Sequence, residues 1–97
     1  MKMKQSYVYI MSNFTRTVLY TGVTNDLERR VKEHKLGIGS TFTKKYNCKY
    51  LVYFERMQDI KQAIRREKQI KAWKRQWKLN IIREQNPNFS DLAENWD

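Results

Sequence analysis

Glu67 is the residue hardest to explain as packing. It falls in the apolar stripe Ile60, Ala63/Ile64, Ile70, Trp73 and Trp77 of a helix read from Asp59 onward. A carboxylate at an inward position is costly unless it is paired or bound to a metal. Two readings stay open on periodicity: a metal ligand, or an ion pair with Arg30 or a neighbouring lysine. Arg30 and His34 stand four apart on one helical face, so both can address the same ligand. An arginine fork suits a phosphate, or it pairs with Glu67. His34 alone reads equally as a partly buried structural histidine. Tyr7 and Tyr9 share one strand face and Tyr20 lies across a hairpin, an arrangement that cross-strand packing also explains.

The elements that must position these groups follow from pattern. Tyr7–Met11 and Thr17–Val23 are rich in β-branched and aromatic residues and read as a hairpin. Gly22, at the end of the second strand, marks close backbone approach. Asn25 with Glu28 has the form of a capping box, opening a helix to about Lys35 with Leu27, Arg30/Val31 and His34 inward. A loop from Gly37 follows, and Tyr50–Glu55 reads as a third strand. Asp59, with Gln62 as box partner, caps one long helix carrying Trp73 and Trp77, which are core or core edge and alternatively a base-stacking surface. Asn86-Pro87-Asn88 ends it.

The charge names a class of partner. Twenty Lys and Arg oppose ten Asp and Glu, a net charge of +10 over 97 residues. Residues 60–83 hold nine bases and one acid, whereas 84–97 hold four acids and no base. That imbalance predicts attraction to polyanions. Membrane-surface binding fits less well, because the charges surround the helix and one inward position is an acid. One cysteine and one histidine exclude an intrachain disulfide and a Cys/His zinc site. No stretch reaches transmembrane length. The default expectation is a cytoplasmic protein, with a monomer favoured.

In order along the chain these residues resemble the GIY-YIG nuclease domain family. Tyr7-Val8-Tyr9 stands for the first signature triplet, and after ten intervening residues Tyr20-Thr21-Gly22 stands for the second. Arg30 follows Gly22 by eight residues, His34 by four more, and Glu67 lies on the later helix. The match covers roughly residues 6–80. Tyr7 replaces the first glycine and Thr21 the middle isoleucine. Asn80 is the nearest counterpart of the family's late asparagine, with Asn86 another candidate.

Pattern and resemblance together imply an α/β (α+β) fold, a small three-stranded sheet ordered β-β-α-β-α with a possible extra C-terminal helix. Residues 1–83 would form the nuclease-like domain and 84–97 an acidic tail outside the site, folding back on the basic helix. The resemblance implies a phosphodiester hydrolase acting on nucleic acid, DNA above RNA, with one Mg²⁺ or Mn²⁺. Glu67 would hold the ion, Arg30 would stabilise the transition state, and Tyr9 would be the general base, its pKa drawn down by Arg30 or the ion. Tyr20 and His34 would position water or phosphate. Gly22, Arg29, Lys44, Lys45, Arg65, Lys71 and Asn80 are the candidate nucleic-acid contacts. The alternative is a module on the same fold that binds nucleic acid without cutting.

Overall fold

A computed structural model describes residues 5–96. Three strands form the sheet, β1 (Ser6–Ser12), β2 (Leu19–Thr24) and β3 (Tyr50–Met57), in the order β2-β1-β3. Both pairings are antiparallel, with Tyr9 opposite Gly22 on one side and Phe54 on the other. The β1–β3 register skips Val52, passing from Ile10↔Tyr53 to Met11↔Leu51. Asn13 organises the hairpin, its Oδ1 accepting from the amides of Thr17 and Val18.

Alternation along β1 sends side chains to two cores. Val8 and Ile10 pack with Val52, Tyr53, Ala63, Ile70 and Ile82. Tyr9 and Met11 pack on the other face with Leu27, Val31, Cys48, Leu51 and Ala93. The second face is covered by helix α1 (Leu27–Lys35), the first by α3 (Ile60–Lys71) and α4 (Arg75–Gln85). This is the α+β arrangement expected, with the extra C-terminal helix present.

Local chemistry sets most boundaries. Asp59 caps α3 by accepting from the Gln62 amide, as its position predicts. Helix α1 is capped by Asp26, which accepts from the Arg29 amide, and not by Asn25. Asp26 wins because the Thr24 hydroxyl accepts its amide and shifts the start one residue along. The helix ends in a Schellman arrangement, Ile38 N bonding Glu33 O at 2.9 Å and Gly37 N bonding His34 O at 3.0 Å. Gly37 supplies the left-handed φ of 78° that this ending requires.

Two expectations about the helices are corrected. The segment after Gly37 is not all loop, since Thr41–Lys45 form a helix, α2, capped by Ser40. The long basic helix is two helices: α3 closes at Ala72 and Lys74 is extended at φ −62° and ψ 150°. No glycine or proline stands at that break. The turn lets Ile82 of α4 come back into the core that Ala63 and Ile70 already occupy, leaving Ile60, Ile64 and Trp77 exposed.

The acidic tail follows the edge of β3 rather than the length of the basic helices, meeting them at Phe89, whose ring lies 5.6 Å from the Arg83 guanidinium. Gln85 bonds both the amide and the carbonyl of Phe54, and Asn86 donates to Val52 O at 3.1 Å. Asp91 accepts from the Leu51 amide at 3.0 Å and pairs with Lys35, while Leu92 N bonds Leu51 O at 2.7 Å. Residues 85–92 thus satisfy the outer edge of β3, which would otherwise present unpaired backbone groups. Ala93 is buried against α1 and β3, and the Trp96 ring meets Phe54 edge-on at 6.4 Å.

Candidate active site

Tyr9 stands at the centre of the sheet, on the middle strand and facing α1. Gly22 lies directly beside its ring, where an added Cβ would come within 2.5 Å of the phenol carbon and oxygen. The glycine after the second strand's Tyr20-Thr21 therefore serves close side-chain packing. The Tyr9 hydroxyl is 2.8 Å from His34 Nε2, and His34 Nδ1 is 2.9 Å from Thr43 Oγ1. Tyr9, His34 and Thr43 are each no more than 1 % exposed. The Tyr20 ring meets His34 edge-on at 5.6 Å and Tyr9 at 6.4 Å.

Burial dominates the protonation chemistry. It pushes the Tyr9 hydroxyl up to about 12, although the neighbouring Arg30 guanidinium acts in the opposite sense. Arg30 by itself therefore does not draw the tyrosine toward neutrality: desolvation of the phenolate outweighs that one cation. Burial, reinforced by Arg30, depresses His34 to about 4, so its imidazole is neutral at pH 7. Arg30 is engaged by Glu33, whose carboxylate accepts from it at 3.0 Å.

Glu67 is on α3, which covers the opposite face of the sheet. Its side chain is only 15 % exposed, and its ion-pair partner is Lys71 at 2.9 Å, not Arg30. The Lys71 ammonium in turn stands 6.0 Å from the centre of the Tyr20 ring, which links the α3 side to the Tyr9 cluster past the edge strand β2. Among the described residues no three His, Cys, Asp or Glu side chains form a group. A single, largely buried carboxylate still fits an ion such as Mg²⁺, which keeps its waters and takes one or two protein carboxylates.

The remaining sequence candidates fall in different places. Lys44 and Lys45 are exposed on α2, with Lys45 over the Tyr46 ring at 5.3 Å. Arg29 is exposed and engaged with Asp26 and Glu33. Arg65 lies on the outer face of α3 with Lys61, Ile64 and Lys68. Asn80 accepts from Gln76 on α4 and lines a groove with Trp73 and Trp77. Asn86, the other candidate asparagine, is committed to the backbone of β3 and Ser90. Sequence reasoning missed Thr43, Ser40, Phe42 and Tyr46. Phe42 stacks on Tyr20 at 5.7 Å and Tyr46 meets Phe42 at a tilt at 4.8 Å, with Phe42 and Tyr46 both substantially exposed. The one sequence signal for this helix was Ser40 at a capping position.

A family model described as the GIY-YIG catalytic domain matches residues 5–80. The chain belongs to the GIY-YIG family. A UPF0213 protein of Staphylococcus haemolyticus is 40% identical over 82 residues, covering 84% of this chain and 99% of that protein. One from Clostridium perfringens is 42% identical over 77 residues, covering 79% and 82%. The solution NMR structure of a UPF0213 protein from Bacillus halodurans superposes with a TM-score of 0.57 at 26% identity, covering 94% of this chain and 97% of that one. The match ends at residue 80, within α4. No helix among the described residues is long and apolar enough to cross a membrane.

Proposed function

We propose that this protein hydrolyses phosphodiester bonds in nucleic acid, as an endonuclease acting on DNA with one divalent ion. The observation that supports the reading is that Tyr9 from β1, Tyr20 from β2 and His34 from α1 adjoin one another with Arg30 beside Tyr9, while Glu67, on the other face of the sheet, is linked to them only through Lys71, whose ammonium stands 6.0 Å from the centre of the Tyr20 ring. Water would attack in line. Tyr9 would accept its proton while passing its own to the neutral Nε2 of His34, so a free phenolate need not accumulate. Arg30, fixed by Glu33, would offset charge growing on the phosphoryl oxygens. An ion held by Glu67 would supply further positive charge to those oxygens and acidify bound water. The exposed lysines of α2, Lys71, and the Phe42 and Tyr46 rings offer phosphate contacts and stacking surface beside the cluster.

One observation favours a second reading, a module that binds nucleic acid without cutting: Tyr9 is buried at 1 % exposure with its hydroxyl already engaged. Incubation with branched, nicked and single-stranded DNAs plus Mn²⁺ separates the two. Cleavage by the parent that disappears in Tyr9→Phe supports the nuclease. Salt-sensitive binding with no cleavage of any substrate supports the module.

A further inference from the structure

The imidazole of His34 touches hydroxyls at both ends, and these contacts are not independent. A neutral imidazole carries one N–H, so one ring nitrogen donates and the other accepts. Either Nδ1–H donates to Thr43 and Nε2 accepts from Tyr9, or both bonds reverse. The surroundings distinguish the two. Thr43 Oγ1 has an acceptor of its own in the Ser40 carbonyl at 3.3 Å, and the Ser40 hydroxyl lies 2.9 Å away. Ser40 Oγ also accepts the Thr43 amide at 3.1 Å, which fixes the threonine in the first turn of α2. Thr43 can therefore give its proton to Ser40 and receive Nδ1–H. At the other end the Tyr9 oxygen faces the Arg30 guanidinium, which only donates. If Nε2–H donated as well, the phenol proton would lack an acceptor in a buried site. Gly39 packs closely against the ring, since a Cβ there would lie 2.2 Å from Nδ1.

We propose that Thr43, anchored on Ser40, is a positioning residue that holds His34 as the Nδ1–H tautomer, leaving Nε2 to take the Tyr9 proton. The inference rests on the reading of Tyr9 as general base and adds the group that makes His34 its acceptor. The groups that face the ring are Tyr9 from β1, Tyr20 from β2, Arg30 and Glu33 from α1, and Thr43 from α2. Of these Thr43 alone bonds Nδ1, so it is the group that fixes the tautomer from the side away from Tyr9.

Nitrogen-15 NMR of imidazole-labelled protein at pH 7 reads the tautomer directly and independently of cleavage. The parent and Thr43→Ser, which keeps the hydroxyl, should both carry Nδ1–H. Thr43→Val should move the proton to Nε2 or give a mixture. If the parent cuts DNA, Thr43→Val should lower kcat by about 10²-fold, the low end of a positioned general base's contribution, with KM little changed. A parent spectrum showing Nε2–H overturns the proposal without any variant. So does Thr43→Val with the Nδ1–H tautomer intact. A parent that shows the predicted tautomer shift but never cuts leaves the positioning role standing and removes the nuclease reading instead.

Discussion

Lys71 sits one turn along α3 from Glu67, its ammonium 2.9 Å from the carboxylate and 6.0 Å from the centre of the Tyr20 ring. The carboxylate that would hold a divalent ion thus already has a cation at hand, on a side chain that is itself 51% exposed and free to swing toward a phosphate. The buried partnership with Arg30 that the sequence left open is absent, because Arg30 is taken by Glu33.

Glu67→Gln should accordingly leave the fold nearly unchanged. A partly exposed i,i+4 pair contributes about 0–1 kcal/mol. DNA binding should stay equal or tighten slightly as one repelling charge is removed, and cleavage should be lost. Thermal melting, a binding titration and a Mn²⁺ cleavage assay check the three parts; a folded variant that still cuts overturns the role given to Glu67.

Lys71→Met should raise the affinity of the free protein for Mn²⁺, since the ion no longer displaces an ammonium from Glu67. Titration followed by the EPR signal of free Mn²⁺ measures this. Equal affinity in parent and variant would mean that Lys71 does not compete for the carboxylate.

Gly22→Ala should destabilise the protein by about 1–3 kcal/mol, the usual cost of overpacking. The new Cβ would stand 2.5 Å from atoms of the Tyr9 ring, which is confined by His34 and cannot retreat freely. Urea unfolding reads the loss, and the Tyr9–His34 contact should be disturbed even in the molecules that remain folded.

Acid should weaken the fold through His34. Its folded pKa of about 4 lies below the ordinary 6.5, so between those values the unfolded chain binds more protons. Stability from this group is complete above pH 6.5 and falls as the pH drops toward 4, by roughly 3 kcal/mol in all. Melting temperatures across that window should decline in the parent and decline less in His34→Gln. Identical profiles would show that other groups govern acid sensitivity.

Deleting residues 88–97 should lower the melting temperature markedly. The cut removes Asp91 and Leu92 from the edge of β3 and Ala93 from the core. Asp91→Ala alone should cost about 1–3 kcal/mol by leaving the Leu51 amide and Lys35 without their acceptor. A truncation as stable as the parent would contradict the observed packing of this segment.

Much of this protein is written in short-range pattern. Runs of β-branched and aromatic residues in Tyr7–Met11 and Tyr50–Glu55 mark strands because such side chains fit a pleated, buried surface, and Asp59 marks a helix start because a cap acts within three residues. The order and spacing of Tyr9, Tyr20, Arg30, His34 and Glu67 were legible for the same reason, as each sits on an element with a local signal. What depended on distant partners was not. The break at Ala72–Lys74 has no local breaker and follows from bringing Ile82 back to the core. The acidic tail is drawn to β3 by backbone groups left open 34 to 40 residues earlier. Thr43 reaches His34 only because α1 and α2 fold together. The rise of Tyr9 to about 12 was equally invisible, because desolvation is set by everything packed around a hydroxyl, and neighbours in sequence supply little of it.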